Sequence, residues 1–156
     1  MPVVTIQLSR LMKMLKGPIT LDGIVEAIPY LGLDIEDLGN DFIKVEYNPN
    51  RPDYSTDYGI ARALNGLLGF ELGCPELELK ESGIEVFVDE SVAKVRPYIL
   101  CLVAKGLSLD DESIRQIITM QEDIHNGIGR RRRKVSIGIH NLDVIKPPIR
   151  YTASDS

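Results

Sequence analysis

Residues 48–54 read Asn-Pro-Asn-Arg-Pro-Asp-Tyr, and no helix or central strand can run through them. Pro49 and Pro52 each fix a backbone angle and remove an N–H donor, and each pushes the residue before it into extended conformation. Asn48, Asn50 and Asp53 add side chains that bond their own backbone in turns. The chain is therefore forced into a stiff bend here. It then enters a helix opened by Ser55 or Thr56, with Ile60, Ala63, Leu64, Leu67 and Leu68 on its apolar face, which fades at Gly69 or Gly73 before Pro75.

The segments before the bend are short and punctuated. Leu8, Leu11, Met12 and Leu15 predict a first helix over residues 8–16, stopped by Gly17-Pro18. Thr20 is placed to cap a second helix with a stripe of Leu21, Ile24, Ala27, Ile28 and Leu31; Pro29 shortens or kinks it, and Gly32 supplies the positive φ that ends it. Alternation in residues 34–38 and 42–47 around Gly39-Asn40-Asp41 predicts a hairpin. A Glu-rich stretch over residues 74–83 with Pro75 and Gly83 reads as a linker, with edge-strand character at residues 76–79.

Beyond the linker, residues 84–88 and the strongly apolar residues 98–104 predict strands, the second inside a sheet. Asp110, Asp111 and Glu112 mark the start of the longest helix, whose stripe is Ile114, Ile117, Ile118, Gln121, Ile124 and Ile128. Gly127 and Gly129 close it, Arg130, Arg131, Arg132, Arg133 and Lys134 cross the surface, and residues 134–139 predict another strand. Pro147-Pro148 turns the chain before a last strand-like segment at residues 149–151, after which no element covers the sheet; the chain is expected to be a piece of a longer protein. The fold class is α+β, with a small helical domain and hairpin over residues 1–80 and the opening of an α+β domain over residues 81–156.

With 156 residues and 44% hydrophobic content, the chain can bury one good core or two small ones. It has no run of about 18 apolar residues and no secretory leader pattern, so no membrane partner is expected and the location is cytoplasmic. Cys74 and Cys101 lack metal-ligand spacing and read as reduced thiols. A net charge of −5 argues against a wholly phosphate-tracking surface, yet the basic block at residues 130–134 stands apart from acids concentrated in residues 34–41 and 76–90.

Few residues offer chemistry. Arg51 and Asp53 read either as a ligand pair or as the lock of a rigid junction made by Asn50, Arg51, Pro52 and Asp53. The flanking prolines favour the lock, with Asp53 accepting backbone N–H bonds and Arg51 anchored to a neighbouring domain. The arginine block reads either as a solvated loop or as phosphate contacts through forked guanidinium donors. His125 and His140 lack partners at ligand spacing and read as ordinary histidines, so no metal site is expected. No phosphate-cradling glycine loop is present, and with 6% aromatic residues and no Trp, base-specific readout is not expected.

The bend and its helix, Asn50 to Asp53 followed by Gly59-Ile60-Ala61-Arg62-Ala63-Leu64, resemble the N-terminal region of the phenylalanyl-tRNA synthetase beta subunit. A second block resembles its archaeal and eukaryotic branch: residues 121–125, residues 130–134, then Ile137-Gly138-Ile139-His140-Asn141-Leu142-Asp143. Asn141 departs from that motif, where an Asp is expected, which weakens any need for a carboxylate there.

The resemblance implies a small helical, DNA-binding-like domain followed by the start of the domain that hydrolyses mischarged tyrosyl-tRNA. It implies an alpha-subunit partner in a heterotetramer, tRNA(Phe) as a further partner, and ATP and Mg2+ used by the full enzyme but bound elsewhere than in this chain. Arg130 to Arg133 and Lys134 are then candidates for tRNA phosphates, no catalytic residue is expected here, and the chain alone is expected to be inactive. The editing pocket is expected largely past Ser156. A barrel inserted near the hairpin in longer beta subunits has no room at Gly39-Asn40-Asp41. The alternative is a stand-alone structural or nucleic-acid-binding module without catalysis; with Arg62 alone on the third helix, a basic recognition helix is missing.

Overall fold

Alternating apolar residues around the bend become a three-stranded antiparallel sheet. In the computed structural model, which describes residues 1–154, β1 (Val3–Gln7), β2 (Asp34–Leu38) and β3 (Phe42–Glu46) lie in the order β1-β3-β2. The predicted hairpin is β2–β3, with an irregularity in register between Ile35 and Asp37. β1 is a strand that the sequence pattern does not separate out. It pairs Val4 with Val45 and Ile6 with Ile43, so that Ile6, Ile43 and Val45, all fully buried, share one face.

Three helices cover that face. α1 (Leu8–Met14) follows β1 directly, α2 (Leu21–Ala27) continues into a tight turn over Ile28–Leu31, and α3 (Asp57–Leu67) follows the bend. Thr20 and Thr56 cap α2 and α3, accepting from Gly23 N and Gly59 N at 3.2 Å each. Pro29 opens the tight turn, and Gly32 (φ 74°) closes it as expected. Leu11, Ile24, Ile28, Leu33, Ile60 and Leu64 complete the core at 1% exposure or less. Each such side chain contributes about 1.5–3 kcal/mol by leaving water.

α1 ends two residues before the predicted Lys16, and the reason is tertiary. Asn65 of α3, 3% exposed, donates from Nδ2 to Met14 O (3.0 Å) and accepts Lys16 N at Oδ1 (2.9 Å). One amide side chain thus satisfies Lys16 N, which a continued helix would have bonded to Met12 O, and Met14 O, which Pro18 has no N–H to serve. The buried stripe of α3 is also rotated from the expected one: Ala61 and Asn65 are buried, while Leu67 is exposed.

The chain groups into two compact units, one made of Met1–Pro75 with Leu109–Ile137, the other of Glu76–Ser108 with the residues from Gly138 onward. In the first, the expected long helix is α4 (Asp111–Asn126), capped by Asp110, which accepts Ser113 N at 2.8 Å. At its amino end it is tied to the preceding elements by ion pairs: Arg10 of α1 reaches Asp57 of α3 (3.3 Å) and Glu112 of α4 (2.9 Å).

In the second unit β4 (Val86–Val88) and β5 (Ile149–Tyr151) pair in parallel, Val86 opposite Ile149 and Val88 opposite Tyr151. Tyr151 donates its hydroxyl to Arg96 O at 2.9 Å.

Two predicted strands are not formed. Residues 98–104 have no strand structure among the described residues, and Tyr98, Leu100 and Leu102 are strongly exposed. Apolarity on both faces signals a buried strand only where neighbours supply ladder bonds, and here none pair with it. Residues 134–139 also stay irregular, since Lys134 N bonds Gly129 O (2.9 Å) and Ile137 N is taken by His125.

Candidate nucleic-acid interface

The bend is wound as consecutive turns, with Arg51 N bonding Asn48 O (2.9 Å) and Tyr54 N bonding Arg51 O (3.0 Å), and continues as a short 3-10 turn over Pro52–Ser55. Arg51 grips Asp53 with both prongs of its guanidinium, Nε to Oδ1 at 3.0 Å and Nη2 to Oδ2 at 2.7 Å, and lies 3.7 Å from the centre of the Tyr54 ring. The Arg51 bond holds the Asp53 carboxyl below the usual carboxylate range and raises the guanidinium in return.

Both charges are spent inside the bend. Asp53 was expected to accept backbone N–H bonds at the turn or near the start of the helix; its carboxylate takes Arg51 and its own backbone N–H within the turn, while Thr56 caps α3. Arg51, expected to reach a neighbouring domain, turns its guanidinium onto Asp53 and Tyr54. Closure also demands a glycine, because a Cβ at Gly59 would overlap Asp53 O.

The bend is packed on the carboxyl end of α4. Tyr47, 3% exposed, donates its hydroxyl to Asp123 Oδ2; burial first, and then this bond, push the phenol pKa upward. A Cβ at Gly127 would lie 3.4 Å from Pro49 O.

Two residues beyond Asp123 lies His125, 2% exposed. Its Nε2 accepts Ile137 N at 2.7 Å, which places the ring proton on Nδ1, facing Glu122 Oε1 at 3.2 Å. The Arg132 Nε, 3.0 Å from Nδ1, then faces a donor, so the arginine is held by its 2.6 Å bond from Nη2 to Glu122 Oε1. That bond is the main reason the Glu122 carboxyl titrates low. His125 is thus a buried histidine with both ring nitrogens facing partners, Glu122 being a neighbour that the sequence reading did not give it.

Around this histidine the arginine block folds back onto the helix. Gly129 N bonds Ile124 O (2.7 Å) and Arg132 N bonds His125 O (3.1 Å), pairing carbonyls that the end of α4 leaves open. A Cβ at Gly129 would come within 2.9 Å of three carbonyl oxygens, Val135, His125 and Ile124. Arg130, Arg131 and Arg132 carry φ of 48°, 55° and 64°, a left-handed turn that costs about 1–2 kcal/mol per residue without glycine. Cations here also face the negative end of the helix dipole.

The result is a fixed basic rim. Arg130, Arg131, Arg133 and Lys134 are exposed around a shallow hollow with Asn126 and Gly127, and among the described residues none of the four forms an ion pair. The structure therefore brings the predicted basic residues together on one loop and ties down Arg132 alone. Glu122 and Asp123, in the support beneath it, fall within the 121–125 block that carries the resemblance, whereas Tyr47 carries no local motif and none of the three shows its partner in the sequence. Among the described residues no group of three His, Cys, Asp or Glu side chains could hold a metal, and Cys74 and Cys101 are free and exposed.

Comparison with known proteins places this architecture. The phenylalanine–tRNA ligase beta subunits of Methanothrix thermoacetophila and Archaeoglobus fulgidus are 44% and 42% identical to the chain over 156 residues, covering 99% and 100% of it. The crystal structure of an N-terminal fragment of the phenylalanyl-tRNA synthetase beta-subunit from Pyrococcus horikoshii matches 99% of the chain with a TM-score of 0.85 at 34% identity. The chain matches phenylalanine–tRNA ligase beta subunits along nearly its whole length. It spans 29% and 28% of the two ligase subunits and 46% of the crystallised fragment. No family model matches it. The bend at Asn50 to Asp53, the long helix and its arginine loop all lie in a chain matched over 99% of its length by the crystallised fragment. No helix among the described residues is long and apolar enough to cross a membrane.

Proposed function

We propose that the chain acts as the N-terminal part of a cytoplasmic phenylalanine–tRNA ligase beta subunit, working with an alpha subunit in a heterotetramer. In that setting it supports ATP-dependent attachment of phenylalanine to tRNA(Phe) and contributes to the domain that hydrolyses mischarged tyrosyl-tRNA(Phe). Editing is needed on physical grounds, because a pocket for phenylalanine rejects an analogue with one added hydroxyl by only about a hundredfold. ATP and Mg2+ are expected to be bound by the rest of the enzyme, since the sequence here has no phosphate-cradling glycine loop. The chain's own share is support and tRNA contact, and alone it is expected to release no tyrosine from tyrosyl-tRNA(Phe).

One observation carries the tRNA reading: four cations without an ion pair among the described residues, Arg130, Arg131, Arg133 and Lys134, stand on a loop whose backbone is fixed rather than free. A preset guanidinium cluster loses less entropy on meeting phosphates than a mobile one. The junction residues Asn50, Arg51, Pro52 and Asp53 are architectural in this reading, stiffening the bend on which the carboxyl end of α4 rests.

The test is tRNA(Phe) affinity as salt is raised. Replacing Arg130, Arg131 and Arg133 together by Ala is expected to weaken binding and to lower the slope of log affinity against log salt by about 2–3, near 0.7–0.9 for each phosphate that is no longer neutralised. Unchanged affinity and slope would remove the loop from the interface.

A further inference from the structure

A second basic locus, separate from the arginine loop, lies in the cleft between α1 and α3. The cleft, about 380 Å³, falls within the range of small-ligand sites and is lined by Lys13 and Lys16, by Tyr58, Arg62 and Asn65, and by residues 71–75. Lys13, Lys16 and Arg62 are exposed, and none of them forms an ion pair among the described residues. Glu71 is the one acid on the lining, so the cleft is cationic within a chain of net charge −5.

Its shape says more than its charge. Tyr58 and Arg62 stand one helical turn apart on α3 and so project side by side, with 61% of Tyr58 exposed. A free aromatic face beside a guanidinium fork is what an unstacked base and its phosphate require together. An acidic peptide would satisfy the cations but offers nothing flat for the ring. The floor is open as well: a Cβ at Gly66 would meet a single atom within 4 Å, Glu71 O at 3.9 Å, and Asn65 beneath is already committed to Met14 O and Lys16 N.

We infer that the α1–α3 cleft binds a single-stranded RNA nucleotide, with Lys13, Lys16 and Arg62 on its phosphates and Tyr58 stacked on its base. This rests on the reading that the chain handles tRNA and adds to it a contact separate from the arginine loop. Lys13 sits in the last turn of α1, where a cation is already favoured by the helix dipole, and Lys16 follows on the strand-like exit fixed by Asn65. The Lys16 backbone is thus held by the same Asn65 side chain that ended α1 early, and the Lys13 backbone by α1 itself.

The experiment uses fluorescence anisotropy of the whole chain with a short labelled single-stranded RNA and, in parallel, with tRNA(Phe). Substituting Ala at Lys13, Lys16 and Arg62 together should lower the salt slope for the short RNA by about 2. Tyr58→Ala should weaken it about tenfold, as loss of one stacked base does. Gly66→Met fills the cleft without changing charge and should also abolish binding, with unfolding curves confirming that each variant folds. The arginine-loop triple variant serves as the separate control. If it loses tRNA while the cleft variants bind both RNAs normally, the cleft inference falls and the loop reading stands. If the cleft variants lose the short RNA and the loop variant does not lose tRNA, the reverse holds. Failure of the parent chain to bind the short RNA, or its displacement by a polyglutamate peptide at equal charge concentration, would overturn the inference.

Discussion

Asp57 opens α3 at 2% exposure, and burial pushes its carboxyl above the usual range, against the pull of Arg10 at 3.3 Å. Gln116 and Glu112 also face it, the second with its own carboxyl held low by Arg10. Because the folded-state value of Asp57 is raised, its contribution to stability is complete below the unfolded value and is lost as pH climbs through the folded one. Asp57→Asn should therefore gain on the parent chain between about pH 3 and pH 6. Urea unfolding at the two pH values checks this, and a variant-minus-parent stability that stays constant or falls from the lower pH to the higher would contradict it. Gly59 is the other residue with no substitute, since its Cβ would overlap Asp53 O. Gly59→Ala should cost about 3 kcal/mol or more, read from the same unfolding curves.

At the scale of elements, what the sequence disclosed was whatever is decided locally. Thr20, Thr56 and Asp110 are caps both by type and by position, and Gly32 takes the positive φ that its place after Leu31 required. Residues 98–104 misled because a run of apolar side chains says that burial is favourable without saying that a partner strand exists. α1 misled for the complementary reason, its end being set by Asn65, far along the chain. Asn65→Ala should strand Met14 O and Lys16 N and cost about 1–3 kcal/mol, measurable as a lowered urea midpoint. Of the candidate interface, the arginine run was plain in the sequence, but its left-handed turn and its tie through Glu122 to Arg132 were not. Arg131→Gly relieves one strained φ (55°), so it should raise stability by about 1 kcal/mol while weakening tRNA binding, a pair of opposite changes that a merely solvated loop would not give.

At the scale of the molecule, the unit that carries the bend is assembled from stretches far apart in sequence, residues 1–75 and 109–137. Arg10, Asp57 and Glu112 join α1, α3 and α4, and Tyr47 joins the sheet to Asp123 just before the arginine loop. The proline bend packs against the helix end from which the cations project, so it would act on the proposed tRNA interface only indirectly. A photo-crosslinking residue placed at Arg131 in the assembled ligase tests this account most directly. Irradiation with bound tRNA(Phe) is predicted to join the loop covalently to the RNA, and to do so less when Tyr47→Phe removes the brace; bound tRNA that forms no crosslink at this position would contradict it.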